Sequence, residues 1–162
     1  YSAIQAYYAI AGNFESKSSY HPHTKPVILG ILICIFIEII IGTEIRGGLD
    51  MSRKENPLIE GVILLKMLGP FKYMHTILGF TLLGLTIYLW KIVNDIKFIS
   101  SSFMVNSVNF IMGLIITQII LGEALVFLEV KPLMQLFHMW FSSILVGLSV
   151  ASFTFYKISM EK

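Results

Sequence analysis

The chain has 162 residues, of which 56% are hydrophobic and only 14% charged, with a net charge of +2 and a mean hydropathy of +0.77. Soluble globular domains carry about 45–50% apolar and about 25% charged residues, so this composition excludes them and marks an integral membrane protein whose first partner is lipid. The charge is too small and too scattered for a nucleic-acid partner, and no basic cluster alternates with exposed aromatics.

Residues 1–24 form a polar and aromatic lead without the basic start or unbroken apolar core of a signal peptide, and are expected to form an extramembrane tail. Pro22 and Pro26 disfavour helix ahead of the first span, although Pro26 is tolerated in a first helical turn. His21 and His23, flanking Pro22, are expected to be solvated rather than metal-bound.

Four apolar runs, at about 27–45, 74–93, 105–128 and 133–156, are long enough to cross a hydrocarbon core of about 30 Å, which takes roughly 20 helical residues. They are continuous and rich in Leu, Ile and Met, unlike the alternating ten-residue segments of a membrane barrel. The expected fold is therefore all-α: an integral membrane four-helix bundle of up-down-up-down connectivity, with its transmembrane domain at 25–157. Cys34 is the single cysteine, deep in the first span, which leaves no intrachain disulfide and reads as a small buried apolar residue.

The first connection, 46–73, is long. Gly47 and Gly48 are expected to stop the first helix, and the run 58–68 after Pro57 is too short to span and is expected to lie in the interface, apolar side down. Gly69 and Pro70 then break the chain before the second span. The second connection, 91–102, is short and polar, and the third is a tight turn at 129–132. Basic residues tie across the two sides, with Lys17, Lys25, Lys91, Lys97, Lys157 and Lys162 on the tail side and Arg46, Arg53, Lys54, Lys66, Lys72 and Lys131 opposite. The acids Asp50, Glu55, Glu60 and Glu129 accompany the second set and tilt the N-terminus towards a cytoplasmic or matrix side.

A short internal repeat links the halves. The first span ends in EIIIGTE at 38–44 and the third in QIILGEA at 118–124, so that Gly42 matches Gly122 and Glu38 matches Gln118. Each is followed, after a turn, by a span with a histidine in its early part: His75 lies five residues past Pro70 and His138 six past Pro132. At about 1.5 Å of rise per residue, both sit roughly 7 to 9 Å inside their helices.

Two imidazoles at matched depth in corresponding helices suit the two axial positions of a heme iron. Gly79 and Ser142, one turn further along on the same faces, are small enough to leave a porphyrin room. The rival reading takes both as interfacial histidines bonded to backbone carbonyls. Zinc is a poorer rival, since it wants three or four protein ligands and no third is evident at this level.

The acids carry open alternatives. Glu38 is mid-span, where an isolated charge costs at least about 2.5 to 3.5 kcal/mol, so it is expected to be protonated or paired, with Gln118 as a hydrogen-bond partner. A structural contact is favoured over a proton path. Glu44 and Glu123 lie near the histidine-side boundary. Arg46, two residues beyond Glu44, either binds a heme propionate through its planar fork or snorkels to headgroups. Tyr73, Trp140 and Tyr156 near span ends fit an aromatic belt.

GTEIRGGLD at the end of the first span, the His75 entry to the second, QIILGEALVFLE at the end of the third and LFHMW in the fourth together resemble the heme A synthase family. Its members usually have eight spans in two four-helix halves, each half holding one heme between histidines of its second and fourth helices. The chain resembles one such half over 27–156. The resemblance implies that His75 and His138 are axial ligands and that Arg46 lies beside the heme edge. The family's catalytic half carries a glutamate three residues before the helix-two histidine, and here that position is Lys72. The paired loop cysteines of many members are also missing.

The expected function is thus a b-type membrane cytochrome passing electrons through heme b (or heme O or A), as a homodimer or beside other membrane redox subunits of a bacterial cell membrane or mitochondrial inner membrane. The alternatives are a half-length heme A synthase converting heme O to heme A as a dimer, and a structural subunit without cofactor.

Overall fold

A computed structural model describes residues 19–59, 61–95, 97–98, 100–128 and 131–160. Five helices lie among them: α1 (Thr24–Glu55), α2 (Gly61–Met67), α3 (Phe71–Val93), α4 (Ser102–Phe127) and α5 (Pro132–Met160). The fold is all-α, and the four long helices are apolar and long enough to cross a membrane, which suggests an integral membrane protein. The short α2 lies between the first two. Most of the expected extramembrane tail, and Glu60, Glu129 and Val130 of the connections, fall outside the described residues.

Local chemistry sets the ends. Pro26 sits in the first turn of α1, and Arg53 and Lys54 occupy its last turn, where cations meet the negative end of the helix dipole. Gly69 adopts a φ of +66°, a left-handed conformation that glycine takes without a Cβ penalty, and Pro70 then caps α3. The Ser101 hydroxyl accepts a hydrogen bond from the Met104 amide at 3.2 Å and caps α4. Pro132 opens α5.

One expectation fails instructively. Gly47 and Gly48 do not stop the first helix, which runs on to Glu55. At 32 residues α1 is about 48 Å long, well beyond the roughly 30 Å of a hydrocarbon core, so its last turns project past the span. Tertiary packing outweighs the helix cost of two glycines, about 1 kcal/mol each. A Cβ on Gly48 would fall 2.6 Å from Leu68 Cδ2, so this glycine is what lets the α2 connection close on α1. Leu49 and Leu64 are buried together there, with Leu68 and Leu125 packed against them. The short helix is correspondingly tighter than the 58–68 read from sequence.

The long helices pack in a ring in which α1 touches α3 and α5, and α4 touches the same two, leaving α3 and α5 on a diagonal. Contacts fix which ends lie together. Tyr20, just ahead of α1, meets Tyr156 near the end of α5 at a 5.2 Å ring separation and the Ser101 hydroxyl at the start of α4 at 3.3 Å. His23 Nδ1 lies 2.7 Å from the Tyr88 hydroxyl near the end of α3. His23 is exposed but bonded, where solvation alone was expected, and His21 packs edge-on against Phe98.

Burial is unevenly shared between the two ends. The core is built from Ile28, Ile31 and Ile35 of α1, Leu82 and Leu89 of α3, Met104, Val108, Ile111 and Ile115 of α4, and Leu145 and Phe155 of α5. Cys34 packs at its margin as a free thiol. These residues occupy the tail-side half of every long helix. In the other half, across 36–46, 71–81, 116–127 and 132–144, Ile41 is the one buried side chain among the described residues. The two halves thus differ in how much side-chain surface the helices bury against one another.

Candidate functional site

The two span histidines meet in the half with fewer buried residues. His75 stands in the second turn of α3 and His138 in the second turn of α5. Their rings face across the diagonal of the bundle with centroids 6.3 Å apart and planes inclined at 64°. No other pair of span residues brings two strong metal-ligating nitrogens together among the described residues, and no group of three or more His, Cys, Asp or Glu is placed to hold a metal ion there.

Each histidine is contacted by the long helix that precedes its own, α1 for His75 and α4 for His138. On the first hairpin, Glu38 of α1 presents its carboxylate to His75 Nδ1, and neither atom has another polar partner among the described residues. One turn along α1, a Cβ on Gly42 would lie 3.5 Å from His75 Cε1, so the ring rests against bare backbone. The second hairpin repeats the pattern. Gln118 of α4 donates from Nε2 to the His138 backbone carbonyl at 2.8 Å, and a Cβ on Gly122 would lie 3.9 Å from His138 Cε1.

Both helices thus use one face, at i and i+4, to grip a histidine: a polar side chain first, a glycine next. The parallel is incomplete in one respect. His138 Nδ1 and Gln118 Oε1 are both buried without a partner, and they belong to two residues already in contact.

These details revise three expectations. Gln118 is not the partner of Glu38, because each instead serves its own histidine. Gly79 does supply room, but the Glu38 carboxylate is beside it, with Oε1 3.4 Å from where a Cβ would sit. Ser142 turns its hydroxyl back onto the His138 carbonyl at 2.9 Å, the same oxygen that Gln118 reaches. Gly42 and Gly122, read from sequence only as repeat markers, are the residues that lie against the imidazoles. Their spacing from Glu38 and Gln118 is the signal that could have found them.

Arg46 lies one turn beyond Gly42 and is about half exposed, with its Nε 3.9 Å from Asp50 Oδ2. Its Nη1 reaches across to the Met139 sulfur, next to His138 in sequence. Glu44 lines a shallow depression with Gly48, Met51 and Phe71 at the same end, and Glu123 is exposed. Lys72, three residues before His75, sets its ammonium 4.7 Å from the centre of the Tyr73 ring.

The donor set fits a heme iron gripped from both sides. Imidazoles on opposite faces of one metal ion, each bonded at about 2 Å through a nitrogen about 1.1 Å from its ring centre, put their centroids about 6 Å apart. The 6.3 Å between His75 and His138 agrees. A carboxylate on Nδ1 of His75 favours the tautomer that leaves Nε2 free for a metal, the usual arrangement around ligating histidines. No protein-family model, curated protein or solved structure matches the chain.

Proposed function

We propose that the protein is a heme-binding membrane protein, a b-type cytochrome in which His75 and His138 are the two axial ligands of one low-spin heme. The observation that carries this reading is the 6.3 Å approach of the two rings across the bundle diagonal, each ring set against a glycine of a neighbouring helix. Bound between them, the iron supplies one-electron transfer between its ferric and ferrous states.

The chain's own residues do the positioning. Gly42 and Gly122 let each imidazole seat against a helix, which fixes the ring positions before the ligand arrives. Glu38 holds the Nδ1–H of His75, and Gln118 ties α5 to α4 at His138. Arg46, at the rim and on the face of Gly42, is suited to a propionate carboxylate through its planar fork. The up-down-up-down bundle lies across the membrane, with α2 at the interface: its Leu64 turns to α1 while Ile63 and Met67 remain exposed to meet lipid. Partners in this reading are lipid and either a second copy or other redox subunits of a bacterial or inner mitochondrial membrane.

The resemblance to one half of a heme A synthase supports the ligand assignment more than the enzyme. Lys72 stands where the catalytic half of that family has its glutamate, and an ammonium cannot stabilise developing positive charge as a carboxylate does. Expression in a host that makes heme O decides between them: unchanged heme O or heme b in extracts fits a cytochrome, and appearance of heme A establishes catalysis. The direct test of heme binding is the visible spectrum of purified protein. A reduced low-spin heme signal lost in both His75→Ala and His138→Ala is expected, and a signal absent from the parent or unaffected by either substitution overturns the proposal.

A further inference from the structure

Glu38 and Gln118 occupy corresponding repeat positions, yet one is a carboxylate and the other a neutral amide. Glu38 is only 12% exposed in a span where an unpaired charge is costly, and its Oε2 makes an ion-pair contact with His75 Nδ1 and has no other hydrogen-bond partner among the described residues. Gly79 lacks the side chain that would crowd it, so α1, α3 and a small residue together hold the carboxylate in place. Gln118 instead reaches the backbone of His138 and leaves that ring's Nδ1 without a bond. The two imidazoles are therefore unequal.

We propose that Glu38 is a positioning residue that makes His75 the stronger electron donor of the pair and biases the site towards the ferric state. The inference rests on the heme reading above. A carboxylate accepting the Nδ1–H raises the basicity of the imidazole, and a more basic axial ligand stabilises the more highly charged iron. Outer-shell partners of this kind alter metal affinity by about 10–100-fold. The lower figure, applied to the ferric form over the ferrous form, is about 59 mV for one electron.

The test is a potentiometric titration of the purified full chain, followed by heme absorbance. Glu38→Gln keeps the length of the side chain and an oxygen that can accept from Nδ1, so the spectrum should stay low-spin while the midpoint rises by about 59 mV. Gln118→Glu puts a carboxylate beside His138, whose Nδ1 is buried without a partner, and should lower the midpoint. A side chain with only a packing role would not move the potential in opposite directions at the two positions. A midpoint in Glu38→Gln equal to that of the parent overturns the proposal. Should that variant not fold, Gln118→Glu decides alone: a downward shift supports the role of an outer carboxylate and an unmoved midpoint refutes it. Absence of heme from the parent protein refutes the heme reading itself, whereas heme present with unmoved midpoints refutes only the part given to Glu38.

Discussion

A substitution series at Gly42 tests the grip on His75 most finely. The space is measurable: an added Cβ would sit 3.5 Å from His75 Cε1, an ordinary van der Waals contact, so Gly42→Ala should be accepted. Alanine also removes the helix penalty of glycine, worth about 1 kcal/mol, so the heme-free protein should be slightly stabilised. Gly42→Val behaves differently. Its methyl carbons extend about 1.5 Å beyond Cβ, and a helical valine has one strongly preferred χ1, so a methyl directed to the ring comes within roughly 2 to 2.5 Å of it. Overpacking of this kind costs about 1–3 kcal/mol, which equals about a 5- to 150-fold weakening if the displaced imidazole bears the strain. At Gly122 the same Cβ would lie 3.9 Å from His138 Cε1, so Gly122→Val should lose less. Heme-to-protein ratio by pyridine hemochrome, after competition with apomyoglobin, reads the effect. Full heme retention in Gly42→Val, or loss in Gly42→Ala, would refute the reasoning.

Further substitutions probe the supporting contacts. Gly48→Ala brings a Cβ to 2.6 Å from Leu68 Cδ2, an overlap of about 1–3 kcal/mol that the helix gain of alanine, about 1 kcal/mol, offsets in part; in thermal melts of the detergent-solubilised protein Gly48→Ala should therefore lower the midpoint more when Leu68 is present than when Leu68→Ala relieves the overlap, and an equal effect of Gly48→Ala in both backgrounds would contradict the close approach. His75→Ala in heme-free protein leaves Glu38 without its partner inside a span, a cost of about 2.5–3.5 kcal/mol, so His75→Ala with Glu38→Leu should melt higher than His75→Ala alone. Equal melting of the two would show that the pair carries no such burden. Arg46→Ala should speed heme loss to apomyoglobin, while Asp50→Asn should leave both heme retention and stability unchanged, because an exposed i,i+4 pair at 3.9 Å contributes little.

Four helices were readable because each span is an unbroken apolar run bounded by proline, glycine or polar residues, and the observed helices contain the expected spans to within a few residues except at the end of α1. There the sequence misleads for a physical reason. Two adjacent glycines look like a stop, but Gly48 is a site of close approach, and that is decided by Leu68, twenty residues away in sequence. The matched depth of His75 and His138 was read from their spacing to Pro70 and Pro132, and the structure brings the two rings to 6.3 Å between centroids, with planes inclined at 64°. Their holders were less so. The repeat paired Glu38 with Gln118 and Gly42 with Gly122, yet only the packing of α1 on α3 and α4 on α5 shows that each contacts the next long helix rather than its repeat mate. Gly79 and Ser142 were singled out as small residues, and the structure adds that the Glu38 carboxylate lies beside Gly79 and that Ser142 bonds the His138 carbonyl.

The central claim is that one iron is shared by His75 and His138. Low-spin heme quantified per chain in the purified parent and in the two single alanine variants measures it directly. One heme per chain in the parent, and loss of the low-spin six-coordinate signal in each variant, is the predicted result. A parent protein without bound heme, or a variant that keeps the parent's signal, would contradict it.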